Sequence, residues 1–209
     1  MLAFPGVSRY PLESGMVADV AHRAASMAAF LSETSEVEAW VYTSRAHRLP
    51  SFTPAEASEW VGEWAVLPKK PLFTQDAAPG NSLARHERQF GLGDGEEDVA
   101  AAVRDIAQSV SGEGVPTLVL FYLWATHDKG PTLGDRLRET ADDNVFWQFL
   151  SENSPGDDVQ TLLKRLPGEA PDIRNVHLYT GWEQLDDTPH YFFCRGVLKP
   201  FMRWRRLRS

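Results

Sequence analysis

Absences narrow the chemistry of this 209-residue chain first. Its one cysteine, Cys194, excludes an internal disulfide and any zinc site built on paired cysteines, and it points to a reducing compartment. No apolar stretch approaches the roughly 20 residues that cross a bilayer. The longest, residues 118–125, is strand-sized. The first residues hold no basic segment followed by an apolar run, so no secretory signal is expected, and the expected location is cytoplasmic. Catalytic signatures are also missing. Ser8 follows a glycine but sits in no Gly-x-Ser-x-Gly elbow. His86 and Glu87 lack the second histidine of a zinc-protease helix, and GLGDG at 91–95 lacks the Gly-Lys-Ser/Thr ending of a phosphate loop. Neither an enzyme nor a cofactor is expected.

The net charge of −8 argues against a generic nucleic-acid binder. The charge is uneven. Residues 195–209 carry Arg195, Lys199, Arg203, Arg205, Arg206 and Arg208 and no acid; taking those six cations from −8 leaves −14 on the rest. Three readings fit this tail. It is a helix docked on the body with its arginines paired to the acidic remainder, a contact for a membrane surface or an acidic partner, or a set of phosphate contacts for nucleic acid.

Hydrophobic spacing organises the remainder. Val17, Val20, Ala21, Ala24, Met27, Ala28 and Leu31 form one helical stripe, with His22 and Arg23 off it. Residues 36–42 alternate and read as a strand, and 45–49 return antiparallel before Pro50. Thr53, Pro54 and Glu56 predict a capped helix to about Trp64. Prolines and glycines make 66–95 a long irregular connection. Glu96, Glu97 and Asp98 read as acids favoured at a helix N-terminus, ahead of an amphipathic helix carrying Val99, Ala102, Val103, Ile106 and Val110. VPTLVLFYL at 115–123 is apolar enough for a strand buried on both faces. A short helix over 133–141, a strand over 145–150, a helix from Asp157 or Asp158 to Leu166 stopped by Pro167 and Gly168, and a last strand over 173–179 follow. Residues 190–207 are expected to be interrupted at Gly196 and Pro200. Of the seven tryptophans, Trp40 and Trp147 read as core, and Trp60 and Trp64 share one helix face.

Helices alternating with near-continuous apolar strands imply an α/β fold. Its doubly wound, mostly parallel central sheet has helices on both faces, in one domain over 1–209. Such sheets bind ligands at the carboxyl ends of their strands. That places Trp124, His127 and Asp128 at the informative edge.

The pattern resembles the von Willebrand factor A (vWA) domain, in the bacterial branch associated with tellurium resistance. LAFPGVS at 2–8 lies where that branch has its first metal motif, and GMVADVAHR at 15–23 resembles the start of its first helix. AHRLP at 46–50 resembles its second-strand hairpin. VPTLVLF at 115–121 and VFWQF at 145–149 resemble its fourth and fifth strands, FWQF being the most specific. Tyr191, Leu198, Phe201 and Trp204 match its terminal helix loosely. The resemblance implies a metal-ion-dependent adhesion site built from Asp-x-Ser-x-Ser, a Thr and an Asp around a Mg²⁺-like ion, often completed by a partner's carboxylate. Here the motif's Asp falls on Ala3, its serines on Pro5 and Val7, the Thr near Asp94 and the final Asp on Trp124. The family's first strand also starts several residues earlier. The start is therefore misassigned, the strand is abbreviated, or a partner supplies a strand in trans.

The resulting expectation is a non-enzymatic protein–protein interaction module with a degenerate metal site, in a stress-response or tellurium-resistance-type system. Its partner is another protein of that system or a second copy. The interaction surface comprises Ser8, Arg9, Asp94, Trp124, His127 and Asp128. Trp124 either plugs the vacated site or faces a partner. The rival reading is an adhesion module whose divalent metal is held by rewired ligands, Asp94, His127 and Asp128.

Overall fold

The computed structural model describes residues 1–67, 81–93, 96–110, 114–124, 131–151, 158–180 and 188–208. Asp94, His127 and Asp128 lie outside these residues. The chain opens with β1 (Leu2–Pro5), α1 (Tyr10–Glu13), α2 (Met16–Leu31), β2 (Val37–Tyr42), β3 (Ala46–Phe52) and α3 (Ala57–Trp64). It continues with α4 (Ser82–Arg85), α5 (Glu87–Phe90), α6 (Val99–Val110), β4 (Thr117–Leu123), α7 (Pro131–Glu139), β5 (Val145–Ser151), α8 (Asp158–Glu169), β6 (Val176–Tyr179) and α9 (His190–Arg208). The strands form one sheet in the order β3-β2-β1-β4-β5-β6. All pairings are parallel except β2 with β3. This is the doubly wound α/β arrangement expected of the apolar strands.

Alternation along the strands divides the core. Leu118, Leu120 and Tyr122 of β4 join Phe146 and Leu150 of β5 under α2, α3 and α9. Val119, Phe121 and Leu123 join Val145, Trp147 and Phe149 under α6, α7 and α8. Successive side chains point to opposite faces, so both faces need helices. Short β1 is central: Leu2 lies beside Ala39 of β2 and Leu120 of β4, and Leu120 N–H donates to Met1 O at 3.0 Å. Two polar residues are held in this apolar setting by specific partners. Gln148 is fully buried and bonds across to His177 of β6. Buried Asn175 donates to the carbonyls of Thr140 and Val145 at 2.8 and 2.9 Å.

Several local expectations are corrected. Arg23 is buried, not off the core-facing stripe. Its guanidinium lies 5.0 Å from the Phe193 ring centroid and donates to Asp19 and to Thr188 O, clamping α2 to the start of α9. Helix α3 begins at Ala57, because Thr53 donates both its N–H and its hydroxyl to Glu56 in a preceding turn. Strand β3 runs through Pro50, which is exposed on an edge strand where its missing N–H costs little. Within 66–95 the chain forms α4, capped by Asn81, and α5, closed by Gly91 with φ of 67°.

Helix α8 passes Pro167, and α9 passes both Gly196 and Pro200 without a break. An interior proline costs about 3 kcal/mol or more. In α9, burial of Phe193, Val197, Phe201 and Trp204 offsets it. Phe201 and Trp204 both pack on Phe146, at 5.8 and 5.4 Å between ring centroids. Trp60 stacks on Phe52 at 4.2 Å, and Trp147 donates its indole N–H to Thr140.

Burial of Phe193, Val197, Phe201 and Trp204 holds α9 on the sheet. Phe201→Ala is therefore expected to lower unfolding free energy by about 3–5 kcal/mol. Leu207→Ala, at a side chain 69% exposed, should stay within about 0.5 kcal/mol. Denaturant titration of both variants measures the contrast.

Candidate functional site

Where β1 ends, three segments meet. Gly6 N–H donates to Tyr42 O at 2.8 Å, and Gly6 O accepts from Gly93 N–H at 3.0 Å. A Cβ on Gly6 would lie 2.5 Å from Leu92 Cδ2 and 2.9 Å from Val41 Cγ2, so any side chain here would force those neighbours to shift. Thr43, at the end of β2, donates its hydroxyl to Phe90 O at 2.9 Å, and its carbonyl accepts from Asp98 N–H at 2.9 Å. The turns after β1 and β2 are thereby fixed to the segment leading into α6.

The side chains on this frame are mostly committed. Asp98 caps α6, accepting from Ala101 N–H at 2.7 Å. Glu97 does not serve the helix terminus as the acidic run suggested. Its carboxylate turns to the β1 turn and accepts from Ser8 N–H at 3.4 Å, with Val7 N–H also bonded to it. Burial pushes its pKa up to about 7 against the opposing pull of those two amides. Arg9 donates to Glu13 at 2.9 Å and to Glu87. Tyr10 stacks on Trp124 with centroids 5.0 Å apart. Trp124 is half-buried and packs against the core, while Tyr10 remains 58% exposed. The indole thus packs inward and carries an exposed ring on its other side.

Ser8, Arg9 and Trp124 of the expected surface are therefore brought together, and the positions of Asp94, His127 and Asp128 lie outside the described residues. Tyr10, Glu87 and the orientation of Glu97 were not foreseen. Tyr10 and Trp124, far apart in the chain, become adjacent only because β1 and β4 are neighbours in the sheet. The side chains of Ala3, Pro5, Val7 and Trp124 bring no oxygen to this edge. Among the described residues no three His, Cys, Asp or Glu side chains gather as a metal site.

The cations of the basic tail meet different surroundings. Arg208 donates to the backbone carbonyls of Ala141 and Asp143, the latter at 2.8 Å, and its guanidinium sits 5.3 Å from the Trp204 ring. Arg195, Lys199 and Arg203 border a groove beside β6, and Arg205 reaches a separate cavity near Met1. Arg206 is exposed. Cys194 Sγ lies 3.3 Å from His190 Nε2, yet burial raises the thiol pKa, the direction opposite to an activated thiolate. Among the described residues no helix is long and apolar enough to cross a membrane.

The sheet order is that of a doubly wound α/β domain with its candidate site at the carboxyl edge. A family model, vWA-TerF-like, described as the vWA found in TerF C terminus, matches residues 6–205. The chain belongs to the vWA-TerF-like family. Among solved structures it is similar to the human COPII-coat protein Sec24c, with 11% identity and a TM-score of 0.55, covering 94% of this chain and 31% of that one. It is also similar to BatB from Bacteroides thetaiotaomicron, at 11% identity and TM-score 0.49, covering 95% and 96%. A third is a von Willebrand factor type A protein from Catenulispora acidiphila, at 8% identity and TM-score 0.46, covering 97% and 41%. At such identities the likeness to Sec24c is one of fold alone, and this chain spans under a third of it. No curated protein matches the sequence.

Glu97 holds its proton to higher pH when folded than its ordinary value of 4.5 allows. The folded state then binds more protons between about pH 4.5 and pH 7, so stability is highest below that window and falls as pH rises through it. Glu97→Gln should flatten that decline. Unfolding midpoints across the window, compared with the parent chain, measure the change in slope.

Proposed function

We propose that this chain is a metal-independent protein–protein interaction module: one vWA domain over 1–209, cytoplasmic and non-enzymatic, whose adhesion site has become an aromatic contact surface. The vWA domain commonly mediates protein interaction, which supports the general class. The observation that carries the specific reading is the Tyr10–Trp124 stack, standing where the resemblance places the final metal-binding aspartate. A hard divalent cation needs several oxygen ligands at short range. Ala3, Pro5, Val7 and Trp124 do not fit that need. Glu97 is turned to the backbone amides of Val7 and Ser8, and Arg9 is engaged by Glu13 and Glu87.

Tyr, Trp and Arg are the side chains that most often anchor protein interfaces. Tyr10, Trp124 and Arg9 supply all three on one rim, with Ser8 beside them. The partner in this reading is another protein of a bacterial stress-response or tellurium-resistance-type system, or a second copy of the chain.

Calorimetry with Mg²⁺, Mn²⁺ and Ca²⁺ at about millimolar levels, the weak end for protein cation sites, should give no binding heat and no rise in melting temperature. Heat together with a melting shift would defeat the proposal and restore the ligand set Asp94, His127 and Asp128. Against a partner purified from the native host, Trp124→Ala should weaken binding by about 10-fold or more, the scale of an aromatic hot spot. An unchanged affinity would remove this rim from the interface.

A further inference from the structure

A second surface, remote in sequence from the β1 turn, has a different chemistry. A groove of about 840 Å³ runs between α9 and the segment joining α8 to β6. Its floor is apolar, formed by buried Phe146, Ile173 and Trp204. Its walls carry Arg174 from the segment before β6 and Arg195, Lys199 and Arg203 from α9. No Asp or Glu lines it among the described residues.

Two features make this more than a basic patch. Arg195, Lys199 and Arg203 recur every fourth residue, so they form one row along α9 with about 6 Å between successive positions. Gly196 and Pro200 follow at the same spacing and also line the groove, and Tyr179 packs against α9 where a Cβ on Gly196 would lie, 2.4 Å from its Cε2. In addition, among the described residues none of these four cations forms an ion pair, whereas Arg9, Arg48, Arg104 and Arg136 each have a carboxylate partner. Phe192 and Leu207, 60% and 69% exposed, mark the two ends. Fifteen helical steps separate them, a length of about 22 Å.

We infer that this groove docks an acidic amphipathic helix of a protein partner, its apolar face on Phe146, Ile173 and Trp204 and its carboxylates over Arg195, Lys199 and Arg203. Charge complementarity selects the acidic face, and the apolar floor selects an amphipathic one. An anionic bilayer offers a plane, which suits a convex basic face. These cations instead border a concavity.

The probe is a fluorescent synthetic helix of about four turns, with Glu at every fourth position and an adjacent leucine stripe, and a control with Lys replacing Glu. The full chain should bind the acidic peptide and not the control. The triple variant R195E/K199E/R203E should weaken binding by about 30-fold or more, and raising salt should weaken it progressively. Arg174→Glu, on the opposite wall and outside α9, should weaken it in the same direction even if the triple variant fails to fold. Trp124→Ala should leave this binding unchanged, which separates it from the surface at the β1 turn. Absence of peptide binding at about 1 mM, or equal binding by Arg174→Glu and the parent, overturns the inference. So does capture of phosphatidylserine vesicles through the same cations in place of the peptide.

Discussion

Leu118, Leu120 and Tyr122 project to one side of β4 and Val119, Phe121 and Leu123 to the other, and all six are buried. Neither side of β4 can be left to water, and β5 repeats the demand with Phe146, Trp147, Phe149 and Leu150. Helices must cover both faces. The covering set on one side is α6, α7 and α8, each following the chain's right-handed progress across a parallel sheet. The other side takes α2 and α3 and then requires α9, because Phe146 would otherwise lack cover. The long terminal helix is thus a consequence of β5, and its two helix-unfriendly residues are tolerated because the burial it completes outweighs their cost.

The same constraint shapes the carboxyl edge. A fully apolar strand delivers its chain to a turn where backbone groups need partners. Gly6 meets this by closing against Tyr42 and Gly93, in a place where a side chain would crowd Leu92 and Val41. Glu97 then satisfies the next two amides, and its carboxylate bears the desolvation that its position imposes. What is left facing outward is an aromatic pair and one arginine held between two glutamates. Among the described residues this edge is partly apolar, and no three His, Cys, Asp or Glu side chains gather there as a metal site.

Periodicity made the long elements legible. The stripe from Val17 to Leu31, the apolar run at 118–123 and FWQF at 146–149 each point to one element type, and α2, β4 and β5 occupy those positions. The misses have local causes. Arg23 breaks the apolar stripe, yet a guanidinium can be buried over an aromatic ring, and Phe193 lies 170 positions away in the chain, beyond any sequence window. Helices α4 and α5 are one turn each, too short to show a period. Thr53 and Glu56 carry a capping signature, but the two side groups satisfy each other in a turn before the helix begins. Pro167 and Pro200 signal helix ends by local propensity, which tertiary burial overrode. At the candidate site Trp124 was visible as the residue after an apolar strand, whereas its partner Tyr10 depended on β1 and β4 being neighbours.

The charge asymmetry of the sequence survives folding. Had the tail's cations been neutralised by the acidic body, α9 would present an electrically quiet surface. Instead Arg208 reaches carbonyl oxygens and an aromatic ring, and Arg195, Lys199 and Arg203 line a groove without an ion-pair partner among the described residues. Carbonyl contacts fix the end of α9 in place without cancelling its charge. A helix held by its apolar face therefore keeps Arg195, Lys199 and Arg203 available, and the demand of β5 for cover places those three along an apolar floor. The aromatic rim at the β1 turn and the basic groove at β6 arise from the same sheet but differ in chemistry and share no residue, so substitution at one is expected to leave the other intact.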